Sequence, residues 1–219
     1  MANAVKVLLL TISALFPIVD PLSGSPIFLA LTKEYSPPMR RDLSARVAVN
    51  SFLLMIGSYL IGAHVLSFFG VSLPVVQVGG GLIVVAVGWS MLMQKEDGGE
   101  PARKTVQPQD EFRCAFYPLT LPLTVGPGSI SVAITLGANS THRYGIHIWL
   151  ILAAVVATGL IAVSVYLCYG FADRLARMLG ESAMNVIVRL SAFLLVCIGV
   201  QITWNGIAAL LLSIRFQVR

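Results

Sequence analysis

The sequence predicts an all-α membrane protein with six transmembrane helices, built as two inverted repeats of three helices, with helices 1 and 4 broken at proline motifs. Three observations support this prediction: the composition, six long apolar segments, and a proline pattern that occurs twice. Of the 219 residues, 57% are hydrophobic and 11% are charged, and the mean hydropathy is +0.84. Soluble domains carry about 25% charged residues. A chain with so little charge is typical of proteins solvated by lipid.

The composition also excludes several function classes. The net charge of +5 is scattered between apolar runs, so we expect no nucleic-acid partner. The three cysteines lie in or beside apolar segments without metal-ligand spacing, and they are interpreted as packing residues: Cys114, Cys168 and Cys197. The chain contains no H-E-x-x-H, no G-x-S-x-G and no paired carboxylates within one apolar segment. We therefore expect no enzymatic activity, no metal site and no cofactor.

Six apolar segments are each long enough to span a bilayer core, which takes about 20 helical residues. They cover residues 7–31, 47–69, 71–93, 114–137, 146–171 and 186–214. The second and third form a tight hairpin, in which Gly70 suits a helix C-cap and Pro74 the first turn of the next helix. The polar stretch 94–113 is interpreted as a linker between a first repeat, 1–93, and a second repeat, 114–219, of one integral membrane domain.

Lysine and arginine placement predicts the orientation. With Arg189 set aside as embedded in the membrane, the connections after segments one, three and five carry ten basic residues and the opposite side carries four. The ten are Lys33, Arg40, Arg41, Arg46, Lys95, Arg103, Lys104, Arg113, Arg174 and Arg177, and the four are Lys6, Arg143, Arg215 and Arg219. Positive residues accumulate on the cytoplasmic side. We therefore expect both termini to lie outside and the three basic connections, which include the 94–113 linker, to lie in the cytoplasm.

The proline pattern repeats at a shift of 101 residues. At this shift Pro17, Pro21 and Pro26 of the first segment align with Pro118, Pro122 and Pro127 of the fourth. A weaker similarity at a shift of 112 aligns Gln77 with Arg189 in the third and sixth segments. Each repeat holds an odd number of helices, so the second copy must enter the membrane from the opposite side. This is the inverted-repeat design of many secondary transporters.

The proline motifs predict a binding site. Proline removes an N–H donor and disrupts the helix, and a broken backbone within the membrane must be buried in protein or line a polar cavity. Half-helix ends there present unpaired backbone groups that suit ions or zwitterions. Hydroxyl groups and glycines cluster at both motifs. The candidate substrate-binding residues are Asp20, Pro21, Ser23, Gly24, Thr120, Thr124, Gly126, Gly128 and Ser129.

Asp20 has two interpretations that remain open. An ionisable residue within a membrane segment is a functional candidate by default, and Asp20 could couple the movement of a proton or cation or pair with a substrate ammonium. Asp20 also precedes Pro21, and an aspartate N-cap followed by proline starts a helix. The second repeat has Leu121 at the matching position, so any role of the charge is confined to the first repeat.

The chain resembles the MarC family of bacterial inner-membrane proteins. The resemblance covers nearly the whole chain and rests on residues 16–28, 118–130, 79–82 and 189–201. It implies six helices in an arrangement similar to that of the LysE-type amino-acid exporters, and some members are regarded as neutral amino-acid transporters. This sequence departs from the family pattern with Asp20 for asparagine, Gln77 for arginine and Ala192 for glycine.

The predicted function is secondary transport of a small polar metabolite, with a neutral amino acid as first candidate, by alternating access around the two broken helices. The expected partners are that substrate, the lipid bilayer, a coupling ion (proton or sodium) and a second copy of the chain. Two alternatives remain open: a small ion channel, and a membrane scaffold or regulatory protein without transport. The sequence does not discriminate among substrates.

Overall fold

The computed structural model describes residues 2–32, 35–93, 114–144 and 147–217, and the predicted linker 94–113 lies outside them. All secondary structure in the described part is helical, which confirms the predicted all-α class. The helices are α1 Ala2–Val19, α2 Pro21–Leu31, α3 Pro37–Phe68, α4 Leu73–Met93, α5 Ala115–Thr124, α6 Pro127–Tyr144, α7 Ile148–Gly170 and α8 Ala172–Gln217.

Five helical stretches in the described residues are long and apolar enough to cross a membrane. They are Asn3–Leu29, Pro37–Phe68, Leu73–Met93, Ile148–Gly170 and Asn185–Ser213. Their outward faces carry large apolar side chains such as Leu60, Trp89 and Phe193. A lipid-facing surface needs such side chains, because the polar groups that cover soluble proteins would lose their water. The segment predicted as the fourth span is made of α5 and α6 and is not among the five.

Both proline-rich segments have interrupted helices. In the first, Asp20 separates α1 from α2 with φ 41° and ψ 66°. In the second, α5 has the wide turns of a π-helix, with non-helical backbone at Tyr117 and Leu121, and an extended Val125 precedes α6. The Tyr117–Pro118 peptide bond is cis. Positions 20 and 121, which the 101-residue shift aligns, are therefore both non-helical.

The core is built mainly from residues of α1, α2, α3, α5, α6 and α7, and it contains Leu15, Phe28, Val47, Ile161 and Tyr169. A second contact zone joins α4 to α8. A β-carbon built on Gly81 would lie 2.7 Å from the carbonyl oxygen of Gly199, and one on Gly206 would lie 2.7 Å from that of Pro74. Small residues thus let the two backbones touch, as is common between membrane helices.

Two helices start ten or more residues before the predicted segments. The sequence places the start of the second span at residue 47, but α3 begins ten residues earlier, at Pro37 in the first turn after Ser36. The first turns of α3 carry a run of charged residues. Such residues lie outside an apolar segment but are still compatible with a helix. Residues 172–185, predicted as a connection, are helical within α8 except at Gly180, where φ is 71°. Gly70, with φ 68°, follows the C-terminal end of α3, as predicted.

Candidate site at the helix interruptions

Asp20 begins α2. Its side-chain Oδ1 lies 3.4 Å from the backbone nitrogen of Ser23 and accepts its hydrogen bond, and Pro21 occupies the first helical position. This is the N-cap arrangement that the sequence suggested. The φ of 41° lies in the left-handed region, which aspartate and asparagine tolerate better than other residues with a β-carbon. One oxygen of Asp20 is thus used by the cap, while Oδ2 is buried without a hydrogen-bond partner.

Tyr169, near the end of α7, contacts both interrupted segments. Its hydroxyl lies 3.1 Å from Oγ1 of Thr124, at the end of α5. Its ring stacks on Phe28 of α2, with centroids 4.7 Å apart. A β-carbon at Gly24 would overlap its hydroxyl, so the close approach of α2 to Tyr169 requires glycine there. The structure therefore brings together Gly24 and Thr124 of the predicted site through a third residue.

The threonine hydroxyls of α5 donate hydrogen bonds within their own helix. Thr120 Oγ1 donates to the carbonyl of Ala115 at 2.6 Å, and Thr124 Oγ1 donates to that of Leu119 at 2.8 Å. A threonine hydroxyl has one proton, so the Tyr169 hydroxyl is the donor in its bond with Thr124. Both threonines are buried. These bonds satisfy polar groups in a segment whose prolines lack N–H donors.

The remaining predicted residues lie at the start of α6. Gly126 is in the extended link before Pro127, and its carbonyl accepts from Ile130 N at 3.1 Å. A β-carbon on Gly128 would overlap Val84, so this glycine packs against α4. Ser129 is buried beside it. Gly128 thus has a packing role against α4, whereas Gly24 and Thr124 meet at Tyr169.

A charged cluster lies where α3 begins and α7 ends. Arg40 Nη1 and Asp173 Oδ1 are 2.6 Å apart. The guanidinium carbons of Arg41 and Arg174 lie 5.3 and 5.5 Å from the ring centroid of Phe171. These contacts join the connection after the first segment to the connection after the fifth. They place the two basic connections at one end of the molecule.

Known proteins resemble this chain over nearly its full length. The family model described as MarC family integral membrane protein matches residues 5–211. The chain belongs to the MarC family. Its relatives include the UPF0056 inner membrane protein MarC of Salmonella typhimurium (strain LT2), which is 32% identical and aligned over 94% of this chain and 96% of the relative. Those of Citrobacter koseri and Escherichia coli (strain UTI89) are 34% and 32% identical over the same shares. No solved structure matches the chain significantly.

Membership of the MarC family and the five apolar helices establish a multi-pass protein of the inner membrane. The family label names no substrate. Of the three departures that the resemblance implies, Asp20 bears most directly on the site, because it occupies the interruption itself. Asparagine would satisfy the same backbone requirements, since it also caps helices and tolerates positive φ. The departure at position 20 therefore adds a charge without changing the local fold.

Sequence reasoning missed Tyr169 in this MarC-family protein. It is 1% exposed and contacts Phe28 and Thr124. The available signal was weak: a tyrosine near the end of an apolar segment is usually interpreted as an interfacial anchor. A buried tyrosine, however, normally finds a hydrogen-bond partner for its hydroxyl.

Proposed function

We propose that this protein is a secondary transporter of a small polar metabolite, with a neutral amino acid as first candidate, that works by alternating access around the two interrupted segments. The observation that carries the proposal is that positions 20 and 121, aligned by the sequence repeat, are both non-helical and lie half-buried in the two proline motifs. Interrupted helices at equivalent places in two halves are the usual binding site of inverted-repeat transporters.

The proposed architecture has six crossings, and three side-chain contacts between segments support it. At one end, Arg40 pairs with Asp173, and the Tyr35 hydroxyl lies 4.0 Å from Cys114 Sγ at the start of α5. At the other end, the Tyr59 hydroxyl lies 2.8 Å from Ser140 Oγ near the end of α6. The α5–α6 segment therefore runs from the first end to the second and supplies the sixth crossing. The positive-inside rule assigns the first end to the cytoplasm, which leaves both termini periplasmic.

The packing of the helices supports two inverted repeats. The first segment (α1 and α2) packs on α7 as the fourth (α5 and α6) packs on α3. Likewise α4 packs on α6 as α8 packs on α2. The remaining large contacts, α3 with α7 and α4 with α8, each pair equivalent helices of the two repeats. A pseudo-two-fold axis in the membrane plane produces this set of pairings.

In this conformation the proposed site is closed. Ser23, Thr120, Thr124 and Ser129 are each at most 2% exposed. Small residues at Gly24 and Gly126 leave the backbone accessible once the halves separate. The extended link at Val125 and Gly126 and the left-handed Asp20 are the positions at which each segment can bend. We interpret the conformation as an occluded state in which the halves meet at Tyr169.

The test is exchange of radiolabelled neutral amino acids across proteoliposomes that contain the purified protein. A substrate should show saturable exchange, and Thr124→Val should reduce it at least about tenfold if the hydroxyl orients substrate or Tyr169. Thr158→Val is the matched control, because Thr158 is also buried and bonds only its own helix, at Ala154 and Val155.

Three results would contradict the proposal in different ways. Equal loss in both threonine variants would assign the effect to folding. A conductance that rises linearly with driving force would favour the ion channel. If no neutral amino acid is exchanged, and cells that carry Thr124→Val behave like cells with the wild-type protein, the scaffold alternative would be favoured.

A further inference from the structure

Two oxygens at the first interruption lack partners. The described part of the chain contains three buried side-chain oxygens without a hydrogen bond, and they belong to Asp20, Ser23 and Ser51. Asp20 and Ser23 are three residues apart and are linked by the cap bond from Ser23 N to Asp20 Oδ1. Ser23 is 1% exposed. An unpaired buried hydroxyl and carboxylate oxygen each cost free energy, so a group that bonded both would stabilise this interruption.

The neighbouring hydroxyl does not share this property. Ser25 Oγ donates at 2.8 Å to the carbonyl of Leu22, the carbonyl whose helical donor would be the N–H that Pro26 lacks. The hydroxyls of Thr120 and Thr124 are also bonded. Ser23 is thus the unsatisfied hydroxyl among those at the two proline motifs whose bonds are described. Side chains in the first turn of a helix point back towards its N-terminus, which directs the Ser23 hydroxyl towards Asp20.

Backbone carbonyls add further oxygens. The carbonyl of Pro17 would bond the N–H of residue 21 in a continuous helix, but that residue is Pro21. The carbonyl of Val19 would bond the N–H of Ser23, which donates to Asp20 instead. Both carbonyls lie at the C-terminal end of α1, where the helix dipole is negative. Within residues 17–23 the interruption thus has one carboxylate, one hydroxyl and two carbonyls that lack their usual helical donors.

We propose that Asp20 Oδ2 and Ser23 Oγ, with the free carbonyls of Pro17 and Val19, bind a monovalent metal cation of the sodium class, which would be the coupling ion if the transport proposal holds. Hard oxygen ligands suit such cations, and carbonyls can replace their hydration shell. A single carboxylate neutralises one positive charge, whereas a divalent ion would leave an excess charge within the membrane. The ion pairs seen between described side chains, Arg40–Asp173 and Arg46–Asp42, do not include Asp20. A proton would satisfy Oδ2 but would leave the carbonyls unpaired.

The test is thermal unfolding of the full-length protein in detergent, followed by tryptophan fluorescence, as NaCl replaces choline chloride at constant ionic strength. A cation that binds only the folded state raises the Tm with saturation. The wild type should show this rise. Asp20→Asn should abolish it, and Ser23→Ala should move its midpoint to about tenfold higher sodium, since each tenfold corresponds to about 1.4 kcal/mol. Asp42→Asn, which alters an exposed pair with Arg46, should leave it unchanged.

Each contrary outcome has a distinct meaning. The cation site is overturned if sodium and choline give the same Tm, or if Asp20→Asn keeps the saturable rise. It is also overturned if the Tm depends on pH but not on sodium and this dependence requires Asp20. That result would identify a proton, with Cys168 and Tyr169 of α7 as the titratable groups that interact with Asp20. Amino-acid exchange measured in choline separates the two proposals. Exchange without an effect of sodium on the Tm would overturn the cation site and leave the transport proposal standing. An effect of sodium on the Tm without exchange would overturn the transport proposal and leave the cation site standing.

Discussion

Tyr169 of α7 and Thr124 of α5, both in the second repeat, are joined by one hydrogen bond. The tyrosine hydroxyl lies 3.1 Å from Thr124 Oγ1, and the threonine's own proton is directed to the carbonyl of Leu119 at 2.8 Å. The donor is therefore Tyr169. Its ring stacks at the same time on Phe28 of the first interrupted segment. A single side chain of α7 thus links α2 to α5.

Tyr169→Phe should lower the free energy of unfolding by about 1 kcal/mol, the usual net value of a hydrogen bond, because the stack on Phe28 remains. Tyr169→Leu should cost more, since it also removes the stack. Tyr166→Phe, one turn earlier on α7 and only half-buried, is the matched control. Denaturant midpoints of the three variants would measure this. A Tyr169→Phe variant as stable as the control would show that the bond contributes nothing.

The glycine triplet of α4 offers a second test. A β-carbon on Gly81 would overlap Thr203 Oγ1 and lie 2.7 Å from the carbonyl oxygen of Gly199, whereas one on Gly79 meets nothing within 4 Å. Gly81→Ala should therefore destabilise the protein by about 2 kcal/mol or more. Gly79→Ala, two residues away in the same helix, should be neutral or stabilise it by about 0.5 kcal/mol. Thermal unfolding of both variants decides the matter, and equal effects would contradict the described α4–α8 contact.

Substitutions of Asp20 separate its backbone role from its charge. Asp20→Ala loses the cap bond to Ser23 and places a residue with poor tolerance of positive φ at 41°, so stability should fall by about 2 kcal/mol. Asp20→Asn keeps both properties and should fold as well as the wild type in choline. Circular dichroism melts would compare them. An asparagine variant as unstable as the alanine variant would mean that the charge itself holds the fold.

The pair Arg40–Asp173 should have a small but measurable coupling energy. The side chains are 16% and 41% exposed, and their closest N–O distance is 2.6 Å. A double-mutant cycle with Arg40→Gln and Asp173→Asn should give about 0.5–1 kcal/mol, reduced by salt. The cycle for Arg46 and Asp42, a more exposed pair within one helix, should give less. A zero coupling in low salt would show that this contact does not hold the two connections together.

The proposed orientation can be measured with cysteine labels. In a variant without Cys114, Cys168 and Cys197, Ser36→Cys should react with an impermeant thiol reagent only after the inner membrane is opened. Ser72→Cys should react in intact spheroplasts. Both positions are exposed, and they lie before and after the single helix α3. Labelling in the reverse order would invert the topology, and labelling of both from one side would contradict the membrane crossing by α3.

The sequence predicted the helical class, the membrane location and the MarC family, because composition and apolar length depend only on residue identity. The repeat drew attention to the two proline motifs, which in the structure contain the non-helical residues Asp20 and Leu121. The turn at Gly70 was predicted for a similar reason, because positive φ is a local requirement that glycine meets. The start of α3 at Pro37 was missed, because an apolar window ends where a charged helix continues.

Only the tertiary structure decided which groups at the interruptions are paired. Sequence treated Ser23, Thr120 and Thr124 as equivalent hydroxyls, but Thr120 and Thr124 bond carbonyls of α5 while Ser23 has no partner. It gave no reason to choose Tyr169, whose contacts with Phe28 and Thr124 arise from helices far apart in the chain. Local patterns specify where the backbone bends. Which side chains then meet depends on how the helices pack, and this is a property of the whole fold.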